Sequence, residues 1–218
     1  EEQLPVFEKL GDARMRAVTW GQIADVLHAR GDMDDALRIR REECLPAFQG
    51  PNDLPLRAAT MSKIADVLQA RGDLDEALRI RREEQLPVYE KLGDTRSRAV
   101  TFGQIADVMF ARGEWEEALR LLRTECVPVF EKLGDVREHV VALGKIADLL
   151  LLRGDLDEAV RIRRDLEIPV YRRIGDARSL ARANAGLGLG YLMKAISVVK
   201  SADPNTASIF FNDAQTHL

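Results

Sequence analysis

Apolar residues near the start of the chain recur with the spacing of one face of an α-helix. Ile23 and Leu27 lie three and seven residues after Trp20. Asp12 before this stretch is a suitable N-cap, because its carboxylate can accept hydrogen bonds from free backbone N–H groups. Gly31 after it can close the helix in the left-handed conformation. The pattern therefore predicts a helix between Asp12 and Gly31.

A second helix is predicted to follow Gly31, with Asp32 as its N-cap. Pro46 is expected to kink this helix or to break it just before that position, because proline removes a backbone hydrogen bond and crowds the preceding turn. We expect the apolar side chains of the helix to face inward and the basic ones to face outward. The inward set is Ala36, Leu37 and Ile39, and the outward set is Arg38, Arg40 and Arg41.

The two helices are repeated along the chain at intervals of 41 residues. This interval separates the turn glycines Gly31, Gly72, Gly113 and Gly154 and the prolines Pro5, Pro46, Pro87, Pro128 and Pro169. A period of about 20–50 residues is typical of a solenoid, in which each unit packs on its neighbours. The predicted fold is an all-α solenoid of antiparallel helix pairs, which offers a long surface rather than a closed pocket.

The predicted units follow from the same interval. They are 1–11 as part of the second helix of a truncated preceding unit, 12–52, 53–93, 94–134 and 135–175 as four repeats, and 176–218 as a degenerate fifth repeat with a C-terminal capping helix. The fifth repeat lacks its turn glycine, so its first helix is expected to be longer. Asp203 and Pro204 are expected to start the capping helix. Because the chain begins in the middle of a unit, we expect it to be a fragment of a longer protein.

The residues expected at the helix crossings resemble those of the tetratricopeptide repeat. The four sets are Trp20, Ile23, Ala24, Leu27, Gly31 and Ala36; Met61, Ile64, Ala65, Leu68, Gly72 and Ala77; Phe102, Ile105, Ala106, Met109, Gly113 and Ala118; and Leu143, Ile146, Ala147, Leu150, Gly154 and Ala159. The unit is longer than the usual one of about 34 residues, and it is similar to the repeats of kinesin light chain and of bacterial signalling proteins. The resemblance implies a right-handed superhelix that binds a peptide or partner domain on its concave face. A bulky residue of the family's second helix is replaced here by Arg40, Arg81 and Arg163, with Leu122 in the third unit.

Charge and composition exclude several classes of function. The net charge is −4, and the 31% of charged residues are finely mixed in sign, which argues against a nucleic-acid interface. Arginines of the recurring string ALRIRREE have acidic residues three or four positions away, so we interpret them as paired surface charge. No apolar run approaches the roughly 18 residues of a membrane span. Cys44 and Cys126 lie two units apart and are expected to be free thiols, as in a reducing, cytoplasmic setting.

The tripeptide Arg-Gly-Asp occurs at residues 30–32, 71–73 and 153–155. One interpretation is an adhesion motif. The other is structural, because a glycine and then an acid are what the end of one helix and the start of the next require. We favour the structural interpretation, since the tripeptide recurs with the repeat.

The remaining motifs give no candidate for catalysis or for metal binding. The G-x-G-x-G string at 186–190 follows no predicted strand, so a phosphate-binding loop is not expected. His28, His139 and His217 have no partner at a metal-binding spacing, and no nucleophile is paired with a base. We therefore predict no catalytic residue, no metal and no cofactor.

The candidate partner-binding residues lie on the first helix of each unit, where the resemblance places the concave groove. They are Gln22, Asp25, His28, Lys63, Asp66, Gln69, Gln104, Asp107, Phe110, Lys145, Asp148 and Leu151. The four aspartates either read a ligand or pair with Lys63, Lys145 or an arginine to hold the units together. Their presence in every unit suits the structural role, because a residue that reads a ligand is free to vary.

The groove positions that vary run from polar to apolar along the chain. A bound peptide or helix could therefore place its apolar side near Phe110, Leu151 and Leu152. Small residues nearby would leave room for it, namely Gly21, Ser62, Gly103 and Gly144. The alternative, that these residues only fill the contact between first helices, stays open.

The sequence thus predicts a non-catalytic scaffold that binds a protein or peptide and neither nucleic acid nor membrane. An alternative is a sensor or regulatory arm of a larger bacterial signalling ATPase or protease. Self-association through the exposed ends of the array is a further expectation.

Overall fold

A computed structural model describes residues 4–200 and 204–217. Every regular element within these ranges is a helix, which confirms the all-α prediction. In chain order the α-helices are α1 (Leu4–Lys9), α2 (Ala13–Arg30), α3 (Met33–Ile39), α4 (Leu54–Arg71), α5 (Leu74–Arg79), α6 (Leu86–Leu92), α7 (Thr95–Ala111), α8 (Trp115–Leu121), α9 (Val127–Leu133), α10 (Val136–Arg153), α11 (Leu156–Arg161), α12 (Ile168–Ile174), α13 (Ala177–Lys200) and α14 (Pro204–His217). The helix α13 is longer than its counterparts, as expected.

The chain divides into two compact units, Glu1–Arg112 and Gly113–Leu218. The boundary falls inside the predicted third repeat, 94–134, so α7 belongs to the first unit and α8 to the second. The boundaries of the repeats and the right-handed superhelix stay predictions.

A π-helical turn interrupts the second helix of each repeated pair. The four turns are Arg40–Cys44, Ile80–Gln85, Leu122–Cys126 and Ile162–Glu167. The residue after each turn donates its N–H to the carbonyl five residues earlier, as Leu86 does to Arg81, and a proline follows directly. Because proline has no N–H and its ring crowds the carbonyl four residues before it, the wider turn accommodates it. The break expected before Pro46 and its counterparts is present.

Small residues allow the paired helices to pack closely. The alanines predicted at the crossings are 0% exposed at Ala24, Ala36, Ala65, Ala77, Ala118, Ala147 and Ala159. Helices α2, α4 and α10 each end at a glycine in the left-handed conformation, with φ of 92° at Gly72, and Gly113, which follows the C-cap Arg112 of α7, also has a positive φ. The predicted cap of the first helix is also present, because Met15 N donates to Asp12 Oδ1 at 2.9 Å. Asp32 stands at the predicted N-cap position of the second helix, but its side chain makes no cap bond.

A basic residue near the end of a first helix bonds to an acid of the preceding helix pair, and in two cases, Arg71 and Arg153, this residue is the arginine of an Arg-Gly-Asp tripeptide. Such a bond joins Nη1 of Arg71 to Oδ1 of Asp34 at 2.7 Å and Nη1 of Arg112 to Oδ1 of Asp75 at 2.6 Å. The same pairing recurs in the second unit between Arg153 and Glu116 at 3.3 Å and between Lys194 and Asp157 at 2.7 Å. In every case the acid lies in the first turn of a second helix. These contacts support the structural interpretation of the tripeptide.

The helix α14 packs on α13 at the end of the second unit. Its Phe210 ring stacks on Tyr191 with 6.4 Å between the ring centroids, and Lys194 Nζ lies 4.5 Å from the centre of the Phe210 ring. Ile209 and Phe211 remain 59% and 40% exposed. Pro204 is the first residue of α14 as predicted, whereas the expected N-cap Asp203 lies outside the described residues.

Candidate functional site

Three arginines of the second helices are buried and bind the aspartates predicted to line the groove. Arg40 is 3% exposed, and its Nη2 lies 2.7 Å from Oδ1 of Asp25. Arg81 is 1% exposed and contacts Asp66 at 2.6 Å. The prediction that Arg40 faces outward is therefore wrong. Its charge suggested the surface, but a spacing of four residues from Ala36 places it on the inward side of the helix.

The second unit repeats this pairing once. Arg163 is 3% exposed and donates a hydrogen bond from Nη2 to Oδ1 of Asp148. The third second helix has Leu122 at this position, and that leucine is 1% exposed. The carboxylates keep an open side, since Asp25 and Asp148 are 51% and 53% exposed. The aspartates thus pair with arginines, as the structural interpretation proposed. Their role in contacting a ligand stays a prediction.

Further contacts link predicted groove residues of neighbouring first helices in the first unit, and we call these residues the polar row. Lys63 Nζ lies 3.6 Å from Oδ1 of Asp25. Arg81 donates from Nη1 to Oε1 of Gln104 at 2.7 Å, and Gln104 Nε2 lies 3.5 Å from Oγ of Ser62. The row therefore runs across α2, α4 and α7 and includes side chains of both charges.

The other predicted groove residues differ in solvent exposure. Gln22 is exposed, and Phe110 is 43% exposed. Half-buried are His28, Gln69, Asp107 and Lys145. Leu151 is only 5% exposed, and its Cδ2 lies against Gly190 of α13. The expectation that Leu151 lies open in a groove is therefore wrong, because α13 covers it.

The small residues of the first helices have a different use from the one expected. The position where each π-helical turn ends is buried in all four second helices, at Cys44, Gln85, Cys126 and Glu167. Glu167 occupies the space at Gly144, where a Cβ would lie 2.5 Å from Oε1. Room that the sequence suggested for a ligand is filled here by the protein's own side chain. At Gly21 the space stays partly open, because the nearest atom is Sγ of Cys44 at 3.9 Å.

A cavity of about 250 Å³ lies between α2 and α4 in the first unit. Gln22, Asp25 and Lys63 are among its lining residues, and its lining is otherwise mainly apolar, with Ala17, Val18, Phe48, Leu56 and Ala59. The cavity lies where the chain departs from the repeat. The second helix ends here in a 3-10 turn, Leu45–Ala47, and a separate 3-10 turn, Pro51–Asp53, leads into α4, whereas the other repeats continue as α6, α9 and α12. The sequence reasoning missed this cavity, although the local departure from the repeat could have indicated it.

Cys44, one of the residues that line the cavity, is an unreactive thiol. It is 1% exposed, and its Sγ donates to the carbonyl oxygen of Ala17 at 3.3 Å. Burial raises the pKa of the Cys44 thiol to about 11, against the opposing effect of the Arg40 guanidinium. Cys44 and Cys126 are both free, as predicted.

Glu167 forms a buried ion pair that the sequence analysis did not identify. It is 0% exposed, and its Oε2 accepts a bond of 2.7 Å from Nη1 of Arg163. Burial raises the pKa of the Glu167 carboxyl, and the Arg163 charge opposes that shift. The signal was present in the sequence, because Glu167 stands two and three repeat intervals after Gln85 and Cys44, both buried.

The described parts of the chain contain neither a metal-binding cluster nor a membrane-spanning helix. Within residues 4–200 and 204–217, no three His, Cys, Asp or Glu side chains lie close enough together to hold a metal ion. No described helix is long and apolar enough to cross a membrane.

Solved structures of other repeat proteins superpose on most of this chain. BtubC (BKLC) from P. vanneervenii aligns with a TM-score of 0.77 at 17% identity, covering 99% of this chain and 86% of that one. The nearly identical TPR-like repeats of a kinesin light chain of Podosopora anserina give 0.69 at 17% identity, with 92% and 94% covered. The Pyrococcus horikoshii signal transduction ATPase with a tetratricopeptide repeat sensor gives 0.74 at 14% identity, with 94% and 34% covered. These identities establish similarity of fold alone.

Family models agree with the structural comparison. Two models, each described as a tetratricopeptide repeat, match residues 56–126 and residues 23–42 and 142–165. No curated protein matches the sequence significantly. The matched ranges cover more than half of the chain and contain the crossing alanines and turn glycines described above, so the chain belongs to the tetratricopeptide-repeat family.

Proposed function

We propose that this protein is a non-catalytic scaffold that binds a peptide or an extended segment of a partner protein along the polar row of the first unit. The family's repeats serve generally in protein interaction. The observation that carries the proposal is the cavity between α2 and α4, because it combines an apolar floor with a rim of predicted groove residues.

The size of the cavity favours one side chain over a small-molecule ligand. Its volume of about 250 Å³ lies below the roughly 300–1,000 Å³ of pockets that enclose a drug-sized ligand. Binding surfaces for peptides concentrate their affinity in a few apolar anchors and use surrounding polar groups for selectivity. One large apolar side chain of the peptide would fill the cavity, with Asp25 and Lys63 placed to read charges beside it. Phe110 would extend the contact within the same unit.

Gly21→Leu is expected to abolish this binding. The leucine side chain would enter the cavity and occupy the place of the anchor, while the helix itself would tolerate leucine better than glycine. Peptides would first be selected from a displayed random library on the unmodified protein. Their affinities for the variant, measured by fluorescence anisotropy, should fall at least tenfold.

Ala70→Leu is the matched control, since it adds the same side chain at an exposed position of α4 that does not line the cavity. It should leave the affinities unchanged. Selected peptides without a common large apolar residue, or equal affinity for the Gly21→Leu protein, would contradict the proposal.

A second candidate function is a sensor arm in a larger signalling protein. It is favoured by the similarity to the Pyrococcus horikoshii ATPase, in which the matched part makes up 34% of the chain. Identifying an ATPase or protease domain encoded in the same reading frame would support it. A cytoplasmic location stays part of this proposal in either case.

A further inference from the structure

Arg40, beside the cavity between α2 and α4, is buried with part of its hydrogen-bonding capacity unused. It is 3% exposed and lines the cavity. Its Nη2 donates to Oδ1 of Asp25 at 2.7 Å. Within residues 4–199 and 208–217, Asp25 is the only hydrogen-bond or ion-pair partner of Arg40. A buried donor without an acceptor is unfavourable, so an acceptor that enters the cavity would form a bond that the protein alone does not make.

Comparison with the other two buried arginines identifies the nitrogen that differs. Nε lacks an acceptor in all three. Nη1 of Arg81 donates to Oε1 of Gln104 at 2.7 Å, and Nη1 of Arg163 donates to Oε2 of Glu167 at 2.7 Å. Nη1 of Arg40 has no such bond to any residue that the structure describes. The unpaired donor that distinguishes Arg40 is therefore Nη1.

The repeat interval explains why this acceptor is missing. The positions equivalent to Gln104 and Glu167 are occupied in this pair by Lys63 and Cys44. An ammonium group cannot accept a hydrogen bond, and the Cys44 thiol donates its own hydrogen to a backbone carbonyl. The unpaired donor thus results from the side chains that this repeat carries.

Asp25 places an acceptor beside the unpaired donor. Its contacts with Arg40 and Lys63 both end on Oδ1, and its side chain is 51% exposed, so Oδ2 can accept a further bond. A primary carboxamide matches this pair, because its oxygen accepts from Nη1 of Arg40 while its NH₂ group donates to Asp25. A carboxylate has no donor for Asp25, and an ammonium group has no acceptor for Arg40.

We propose that the cavity selects a segment of a partner protein in which a glutamine or asparagine lies within two residues of the large apolar anchor. This inference rests on the proposed peptide-binding function and adds a second determinant of its specificity. The next helix pair contains the same arrangement within the chain, because the amide of Gln104 binds Arg81 and its Nε2 lies 3.5 Å from Oγ of Ser62. The amide of the ligand takes the corresponding position beside Arg40.

The test uses the peptides selected from the displayed library on the unmodified protein. They are expected to share a glutamine or asparagine near the apolar anchor. Replacing glutamine by methionine, or asparagine by leucine, should weaken binding at least tenfold in fluorescence anisotropy, because a site that hydrogen-bonds a group discriminates against an analogue without it. Replacing the amide by the acid of the same shape should weaken binding at least fivefold.

Lys63→Gln tests the assignment from the side of the protein. It reproduces the natural pairing of Arg81 with Gln104, so the chain itself supplies an acceptor to Nη1 of Arg40. The preference for the amide peptide over its apolar analogue should fall below twofold. Lys63→Met is the matched control, because it removes the same charge without supplying an amide, and it should keep the tenfold preference.

Three outcomes would overturn this inference and leave the peptide-binding function intact. They are selected peptides that share the apolar anchor but no amide near it, tighter binding of the acid than of the amide, and an amide preference that persists in the Lys63→Gln protein. Selected peptides without a common apolar anchor would contradict the peptide-binding function and this inference together.

Discussion

Arg163→Leu is expected to lower the free energy of unfolding by about 3–5 kcal/mol. Glu167 is 0% exposed and is bonded to Nη1 of Arg163 at 2.7 Å. Removing one partner of a buried ion pair leaves the other charge without compensation, which costs this much in other proteins. Urea unfolding followed by circular dichroism measures the loss.

The third second helix provides the control for this substitution. It carries Leu122 and Cys126 at the equivalent positions, and both are buried. The double variant Arg163→Leu, Glu167→Cys reproduces that natural combination and removes both charges. It should recover most of the lost stability. A loss below about 1 kcal/mol for Arg163→Leu, or a double variant no more stable than the single one, would contradict the assignment.

The loss should also depend on pH. Burial raises the pKa of Glu167 above the ordinary value of 4.5, so above pH 4.5 the folded state holds its proton more tightly than the unfolded state does. The stability that this group contributes is complete below pH 4.5 and is lost as the pH rises through the folded-state pKa. Without Arg163 the pKa rises further. The cost of Arg163→Leu relative to the unmodified protein should therefore be smaller at pH 5 than at pH 8, and the double variant should show no such trend.

Gly186→Ala is expected to lower the free energy of unfolding by about 1–3 kcal/mol, although alanine is normally the better helix residue. A Cβ at Gly186 would lie 2.5 Å from Nε of Arg163. The guanidinium cannot move aside freely, because Asp148 and Glu167 hold its two ends. Thermal unfolding of the variant measures the effect.

Gly21→Ala is the matched control, with the opposite expected sign. A Cβ at Gly21 would meet only Sγ of Cys44, at an ordinary distance of 3.9 Å. The gain in helix propensity should therefore appear as about 0.5–1 kcal/mol of added stability. If both variants changed the free energy of unfolding in the same direction, a clash with Arg163 would not be the reason that position 186 requires glycine.

The sequence and the structure agree best where local chemistry is decisive. The positions of the helices, the glycines that end them and the prolines that interrupt them are predicted from residues close together in the sequence. Gly72 has the predicted left-handed conformation, and a π-helical turn precedes Pro87. The burial of charged side chains was harder to predict. Arg40 has the helix position of an inward residue and the charge of an outward one, and its burial depends on Asp25, fifteen residues earlier on another helix. The prediction for Leu151 failed for a related reason, since α13, a helix about forty residues later, packs against it.

The sequence by itself determined the repeat, the helix pairs and the family, because a fixed interval of 41 residues carries each feature from unit to unit. Tertiary structure alone decided which of the equivalent residues are available. Gly21 and Gly144 are the same residue at the same repeat position, yet Glu167 fills the space beside Gly144 while the space beside Gly21 stays partly open. Whether a residue is buried depends on the side chains and helices next to it. The repeat interval shows which residues are equivalent, but it does not show which neighbours each of them has.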